Sequence, residues 1–319
     1  MKAIIYKKFG PPEVLQLEEV DKPSPNIDEV LIKIHASTVT KEEPGFRSSP
    51  GFNGFLKPKN PILGEELAGE IEAVGENVTR FKVGDRVYGI DWYGAHAEYK
   101  CMPQDKALVH MPSNMSFEEA ASVPNGAVTA LPFLREAGEI QAEQKVLING
   151  ASGSVGTAAV QLAKHFGAEV TAVCSTGNME LVRSLGADDV VDYTREDFTQ
   201  RSQIYDIIFD AVGKLTFSGS KDSLTHTGVY LTTVPTPGLM VRALLTRRGG
   251  GKKVRFMAAG LRSAEKKIDD LKYITALIEA SQFRAVIDRS YPLEELAQAH
   301  RYVEGGHKKG NVVIVARAE

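Results

Sequence analysis

Apolar and polar positions follow two different rhythms in this chain, and the change between them falls near residue 116. Before it, short runs with two-residue alternation stand between turn-forming residues, the pattern of an all-β domain. Residues 1–6 read as a strand, 30–35 alternate, 71–74 follow Gly69, and Arg86–Ile90 follow the turn Val83-Gly84-Asp85. Prolines at 11, 12, 23, 25, 44 and 50 punctuate this half, where they would interrupt helices and central strands. The Gly/Pro/Phe-rich segment 41–61 is expected to be a mobile loop beside a pocket.

After residue 116 the rhythm becomes that of alternating strands and helices. Ser116 with Glu119 three residues on predicts a capping box and a short helix through Ala121. A helix over 127–137, interrupted near Pro132, precedes strand 146–149, helix 154–166, strand 169–174, helix 178–185 and strands 189–192, 206–210 and 228–233. Such alternation predicts an α/β fold with a doubly wound parallel sheet. The basic, Gly-rich stretch 247–253 reads as a solvated turn. Beyond it lies a helix over 266–280, with Ile268, Leu271, Ile274 and Ile278 on one face. A helix over 293–303 and a strand over 311–316 close the chain, the strand placed to return to the first domain.

The junction of strand and helix after Lys145 carries the chemistry. It reads K-V-L-I-N-G-A-S-G-S-V-G-T-A-A-V-Q-L-A-K-H-F, with glycines at 150, 153 and 156. Glycine there allows a tight turn, a close backbone approach to a pyrophosphate and close helix–strand packing, while the helix N-terminus favours the anion. Thr157 stands where a P-loop needs lysine, and Ser154 stands where a nucleophile elbow needs its second glycine. The spacing therefore points to a dinucleotide, held by Gly150, Ala151, Ser152, Gly153, Ser154, Val155 and Gly156.

Composition narrows the setting. At 319 residues two domains are expected, and 43% hydrophobic with 25% charged residues is ordinary globular usage. A net charge of −3 argues against nucleic acid or an anionic membrane as partner, and no apolar run approaches the span of a bilayer. Cys101 and Cys174 are too few for a disulfide framework or a four-cysteine zinc site, and neither has a cationic neighbourhood in sequence. A reduced, cytoplasmic environment fits.

Coenzyme choice is written at the end of the second strand of the parallel sheet. NAD enzymes place an acid there for the ribose hydroxyls. Here the strand runs into Ser175-Thr176-Gly177-Asn178, with no acid at that end. Ser175, Thr176 and Asn178 are suited to donate to a 2′-phosphate, so NADPH is expected over NADH, although no lysine or arginine joins them.

These motifs, together with M-K-A-I-I-Y, P-I-L-G-E-E-L-A-G-E-I-E-A-V-G, V-G-D-R-V-Y-G, G-A-H-A-E-Y, L-G-A-D-D-V-V-D-Y, Y-D-I-I-F-D-A-V-G and K-K-G-N-V-V-I, carry a family resemblance. Essentially end to end, the chain resembles the zinc-independent quinone oxidoreductase branch of the medium-chain dehydrogenase/reductase superfamily. The resemblance implies a GroES-like catalytic domain over 1–115, completed by about 285–319, and a Rossmann domain over 116–284, with the active site in the cleft between them. Zinc-dependent relatives have ligands where this chain has Thr40, Glu65 and a position near Pro124; Thr40 and Pro124 cannot replace thiolates, so no zinc is expected. The reaction implied is hydride transfer from NADPH to a quinone or α,β-unsaturated carbonyl, by a homodimer.

The resemblance also assigns residues. Thr40, Phe46 and Asn125 are expected to line the acceptor pocket, with no acid assigned. Thr129, Val212, Gly213, Thr233 and Val234 are expected along the ribose and nicotinamide, Tyr193 on the adenine side, and Lys309 near the phosphate. His96 reads as structural more readily than as a proton donor, and His300 and His307 as surface or packing residues. Two other readings stay open: an alcohol dehydrogenase with altered zinc ligands, and an NADPH-binding scaffold with little turnover.

Overall fold

The structure, a computed structural model, describes residues 1–51, 53–200, 202–246 and 249–316. Two compact units emerge, Met1–Asn125 with Ser263–Glu319, and Gly126–Arg262.

In chain order the first stretch holds strands β1 (Lys2–Ile5), β2 (Gln16–Glu19) and β3 (Glu29–Val39), helix α1 (Glu43–Ser48), and strands β4 (Glu66–Val74), β5 (Arg86–Ile90), β6 (Tyr99–Pro103) and β7 (Leu108–His110). Helix α2 (Phe117–Ala121) opens on the expected capping box: Glu119 N–H donates to Ser116 Oγ at 3.2 Å, and Ser116 N–H to the Glu119 carboxylate at 2.9 Å. Helix α1 lies inside 41–61, the segment read from sequence as a loop. Pro44 sits in its first turn, where a missing N–H costs nothing, and Glu43, Pro44 and Arg47 are buried.

Helix α3 (Pro124–Pro132) leads into a single π-helical turn, Phe133–Ala137, closed by Gly138 N–H on the Phe133 carbonyl at 2.8 Å. Then follow β8 (Lys145–Asn149), α4 (Ser154–His165), β9 (Glu169–Cys174), α5 (Met179–Ser184), β10 (Asp189–Asp192), β11 (Tyr205–Asp210), α6 (Phe217–Ser220), β12 (Leu224–Thr232), α7 (Pro237–Thr246) and β13 (Lys253–Arg255). The six strands pair in parallel in the order β10-β9-β8-β11-β12-β13. Order reverses between β8 and β11, the switch point at which doubly wound sheets bind ligands beyond their carboxyl ends. Leu147, Val173, Val191, Ile208, Tyr230 and Val254 form the core on one face of this sheet. Of the basic stretch 247–253, Arg247 and Arg248 lie outside the described residues and Lys253 begins β13.

The chain closes with α8 (Ala264–Glu279), β14 (Ile287–Pro292), α9 (Leu296–Glu304) and β15 (Asn311–Val315). Helix α8, counted from sequence with the nucleotide domain, packs in the first unit: the Tyr88 hydroxyl donates to the Leu271 carbonyl at 3.2 Å and meets Thr275 Oγ1 at 2.9 Å. Strand β15 pairs antiparallel with the second half of β3, Val312 opposite Val39 and Val315 opposite Ala36, as its sequence led us to expect. The first half of β3 pairs instead with β6, and register shifts along β3 mark where it bends between the two partners.

Candidate coenzyme and acceptor sites

The turn from β8 into α4 holds glycine for separate physical reasons. Gly150 has φ +78°, and a side chain there would meet Val212 Cγ1 at 2.5 Å. At Gly156 a Cβ would lie 2.1 Å from the Gly150 carbonyl oxygen, so helix and turn touch backbone to backbone. Gly153 differs: its φ is −82°, and the nearest atom to an added Cβ is 3.6 Å away. Nothing in the fold demands glycine there, so the open space is what the position preserves. Among the described residues the N–H groups of Ser154, Val155 and Gly156 meet no acceptor, and Ser154 Oγ is buried without a partner. A twelve-residue helix thus presents unpaired donors beside an open glycine, a cradle suited to a pyrophosphate.

Around it gather the other residues expected to hold a dinucleotide. The Asn178 amide donates to Ser152 Oγ at 3.0 Å and to Ser175 Oγ at 3.2 Å, tying the glycine turn to the end of β9. Thr176 donates its hydroxyl to Asp192, at the end of β10, whose other oxygen accepts from Thr194 N–H at 3.0 Å and Thr194 Oγ1 at 2.7 Å. Asp192 is the acid that the sequence reading did not find, because it comes from the neighbouring strand. Those bonds, Thr176 first, hold its carboxyl below the usual range, and Arg195 Nε stands 3.7 Å away. Tyr193, next to Asp192, is 61% exposed.

At the ends of β11 and β12, buried Asp210 accepts from Asn149 Nδ2 (2.9 Å), Val212 N–H (3.2 Å), Gly213 N–H (3.0 Å) and Leu215 N–H (2.9 Å). It thereby shapes the loop in which Gly213, with φ +68°, lies against Val234. Thr233 N–H donates to the Asp210 carbonyl at 3.2 Å, and Thr129 sits half-buried on α3. Every residue expected to hold coenzyme in this unit, Thr129 apart, therefore lies at the carboxyl edge of the parallel sheet or in the turn into α4.

Thr40, Phe46, Asn125 and Lys309 belong to the first unit. Thr40 is buried, with its hydroxyl sealed and outside hydrogen-bonding geometry, and Phe46 lies 6.3 Å from the Tyr93 ring. Asn125 N–H donates to Glu66 at 2.7 Å, and the Thr38 hydroxyl donates to the same carboxylate. Burial pushes Glu66 up to about 7 against the pull of those bonds and of Lys308. Lys309 is exposed and donates its N–H to Asp288 at 2.9 Å; its neighbour Lys308 is the more enclosed, its ammonium on the Gly310 carbonyl at 2.7 Å.

A sealed ionic network, invisible to sequence reading, underlies this face. Glu43, His96 and His300 are each 0% exposed and Arg47 1%. His96 Nε2 donates to Glu43 Oε2 at 2.8 Å while its Nδ1 meets Ser37 Oγ at 2.9 Å. Arg47 bonds His300 Nδ1 (3.1 Å), the Gly10 carbonyl (3.1 Å) and Glu304 (2.6 Å). Burial alone would raise Glu43, but the charges and bonds of His96 and His300 outweigh it and hold the carboxyl at about 2. His300, taken from sequence for a surface or packing residue, is at the centre of this network, and burial lowers it below the ordinary histidine value. Burial pushes both thiols, Cys101 and Cys174, up to about 11, away from the thiolate form that reacts.

Comparison with known proteins agrees with this architecture. Residues 26–132 match the alcohol dehydrogenase GroES-like domain and residues 185–314 the zinc-binding dehydrogenase domain. The 2-methylene-furan-3-one reductase of Solanum lycopersicum is 33% identical, over 98% of this chain and 79% of that protein. Among solved structures, the quinone oxidoreductase of Coxiella burnetii superposes with a TM-score of 0.86 at 30% identity, over 99% of both chains. The Escherichia coli quinone oxidoreductase complexed with NADPH gives 0.83 at 25% identity, over 99% of this chain and 100% of that one. The fold and the glycine cradle define a two-domain oxidoreductase with a GroES-like domain and a parallel dinucleotide-binding sheet. The chain belongs to the medium-chain dehydrogenase/reductase superfamily, among its quinone oxidoreductases and enone reductases.

The family's zinc does not match the donors available. Thr40 offers only a sealed hydroxyl, and Pro124 no side-chain ligand at all. Glu43, His96 and His300 bring three ligand atoms within 4.8 Å of one another, but the Arg47 guanidinium, which can only donate, fixes His300 Nδ1 as acceptor. The imidazole hydrogen then sits on Nε2, the atom a cation would need.

Proposed function

We propose that this chain is an NADPH-dependent, zinc-independent oxidoreductase that reduces a quinone or an α,β-unsaturated carbonyl. The observation that carries the reading is Gly153, glycine without a structural need for it, beside the unpaired amides of α4. When bound, the dihydronicotinamide supplies the hydride. The turn 150–156 and the first amides of α4 hold the pyrophosphate; Ser175 and Thr176 face the adenosine ribose, with Asn178 bracing Ser175 and Ser152. Val212, Gly213, Thr233 and Val234 border the ribose and nicotinamide, Tyr193 the adenine, and Thr129 and Lys309 complete the coenzyme contacts. Thr40, Phe46 and Asn125 line the acceptor side. A conjugated acceptor delocalises the charge that hydride brings, so orientation and exclusion of water supply most of the rate without a cation.

The test compares NADPH and NADH oxidation across quinones, enones, aldehydes and alcohols. Turnover with quinones or enones is expected to survive a strong chelator unchanged; loss of activity restored by zinc would refute the metal-free reading. Asp192 is already satisfied by Thr176 and Thr194, so Arg195 beside it is the cation available to a 2′-phosphate. Arg195→Ala is expected to raise KM for NADPH about tenfold, the loss of one charge-assisted contact, and to spare NADH. Equal effects on both coenzymes would remove Arg195 from the phosphate site.

A further inference from the structure

Helix α7 turns the usual arrangement of a surface helix inside out. Leu239 and Ala243 pack on the core of the parallel sheet. Thr246, on the same side, accepts the Val254 N–H at 3.1 Å and so ties the helix to β13. On the opposite side Met240, Val241, Leu244 and Leu245 are 47%, 59%, 70% and 75% exposed, at a spacing that makes them one stripe. A helix lying on a sheet normally gives that outer side to polar residues. Here the only charged residue from Pro237 to Thr246 is Arg242, and no residue of the helix is buried.

The charge around the stripe is one-sided. From Ser223 to Ala264 the sequence carries Arg242, Arg247, Arg248, Lys252, Lys253, Arg255 and Arg262 and no acid, in a chain whose net charge is −3. Arg255 and Arg262 are spent on Glu139 and Glu136. Arg242 lies over the Phe217 ring at 5.0 Å, and the Lys252 ammonium meets the Lys221 carbonyl at 2.5 Å. Among the described residues no carboxylate pairs with Arg242, Lys252 or Lys253. Helix α7, β13 and these three cations all belong to the second unit.

We propose that α7 docks on anionic phospholipid, lying in the plane of a membrane surface. Its outer stripe enters the acyl chains, and the cations of α7 and β13 meet the headgroup phosphates. Ten residues are too few to cross a bilayer, and no described helix is long and apolar enough to do so. An interfacial helix needs only an apolar face with cations beside it. Two observations select lipid over a second copy of the chain. An isologous contact across α7 would bring two basic, acid-free segments together. Four apolar side chains also fall well short of the roughly 20–30 residues per partner in a stable protein interface, whereas on lipid the cations supply the rest. The negative balance of the whole chain, which speaks against a membrane partner, does not extend to this face.

Flotation of the full chain with vesicles tests the assignment. At low salt the wild type is expected to float with vesicles of phosphatidylcholine and phosphatidylglycerol, to stay behind with phosphatidylcholine alone, and to detach as salt is raised. Lys252→Gln is expected to weaken partitioning about fivefold, the worth of one cation near an anionic surface. Leu244→Ser combined with Leu245→Ser should weaken it at least about tenfold. Both leucines are exposed, so the melting temperature of that double variant should match the wild type. Should it melt early, Lys252→Gln and the salt series carry the test. Equal recovery with neutral and anionic vesicles, no recovery with either, or variants that float like the wild type overturn the proposal. A wild-type dimer that the leucine variant splits, with no flotation, overturns it in favour of a second copy.

Discussion

Gly156→Ala is expected to lose NADPH binding and to unfold the second unit early, whereas Gly153→Ala loses NADPH and keeps its stability. The contrast follows from what each added methyl would meet. At residue 156 it would lie 2.1 Å from the Gly150 carbonyl oxygen and 2.7 Å from Ala151 Cα, backbone atoms that cannot step aside. Helix α4 must move off the strand edge, at a cost near the upper end of overpacking, about 3 kcal/mol. At residue 153 the nearest atom is 3.6 Å away, an ordinary contact, so the folded protein does not notice the change. The methyl instead occupies the space through which a pyrophosphate reaches the amides of α4. Affinity is expected to drop at least about 100-fold, roughly 2.7 kcal/mol, in each variant. Calorimetric unfolding with and without NADPH separates the two. A Gly153→Ala protein that binds NADPH like the wild type would move the coenzyme away from this turn.

Glu43→Gln is expected to destabilise the first unit by about 3–5 kcal/mol at neutral pH, since removing one member of a buried ionic network strands the others. The variant leaves two buried imidazoles, His96 and His300, facing an amide where the carboxylate stood. The sign of the pH dependence follows from Glu43 being held at about 2, below its ordinary value of 4.5. A depressed carboxyl stabilises above the unfolded value and loses that contribution as pH falls toward the folded one, here from 4.5 to about 2. The amount at stake is on the order of 3 kcal/mol. The stability gap between wild type and Glu43→Gln, measured by urea titration, should therefore narrow steadily over that window. A gap of constant size would show that shape, and not charge, is what Glu43 contributes.

What the sequence revealed and what it hid divide along a physical line. Strands β8 to β12 and helices α4 and α5 were legible because burial on both faces of a parallel sheet leaves continuous apolar runs, and a one-sided helix leaves a periodic stripe. The capping box at Ser116 and the glycine turn are local devices, written in a few adjacent residues. Helix α1 was missed because Pro44 and Gly45 read as loop signals, whereas proline in a first turn is compatible with helix. Strands β2, β6, β7, β13 and β14 were missed too; four of them have five or fewer residues, too short for a pattern to stand out. Nothing local could announce that Arg47 meets His300, 253 positions away, or that Asp192 would stand beside Thr176. The V-V-D-Y run did mark a strand ending in an acid, and a search of adjacent strand ends would have found it.

The pairing of β15 with β3 also dictates an order of events at the ribosome. Val39 leaves the tunnel long before Val312, 273 positions later, and synthesis at about 5–20 residues per second makes that interval on the order of tens of seconds. Throughout it the later half of β3 has a vacant flank, while residues 126–262, contiguous in sequence, are free to fold at once. A bare strand flank is a template for association with other nascent chains. Each newly made molecule thus passes through a half-built stage in which a finished nucleotide fold hangs from an unfinished barrel, and recovery of active protein will depend on how well that stage is chaperoned.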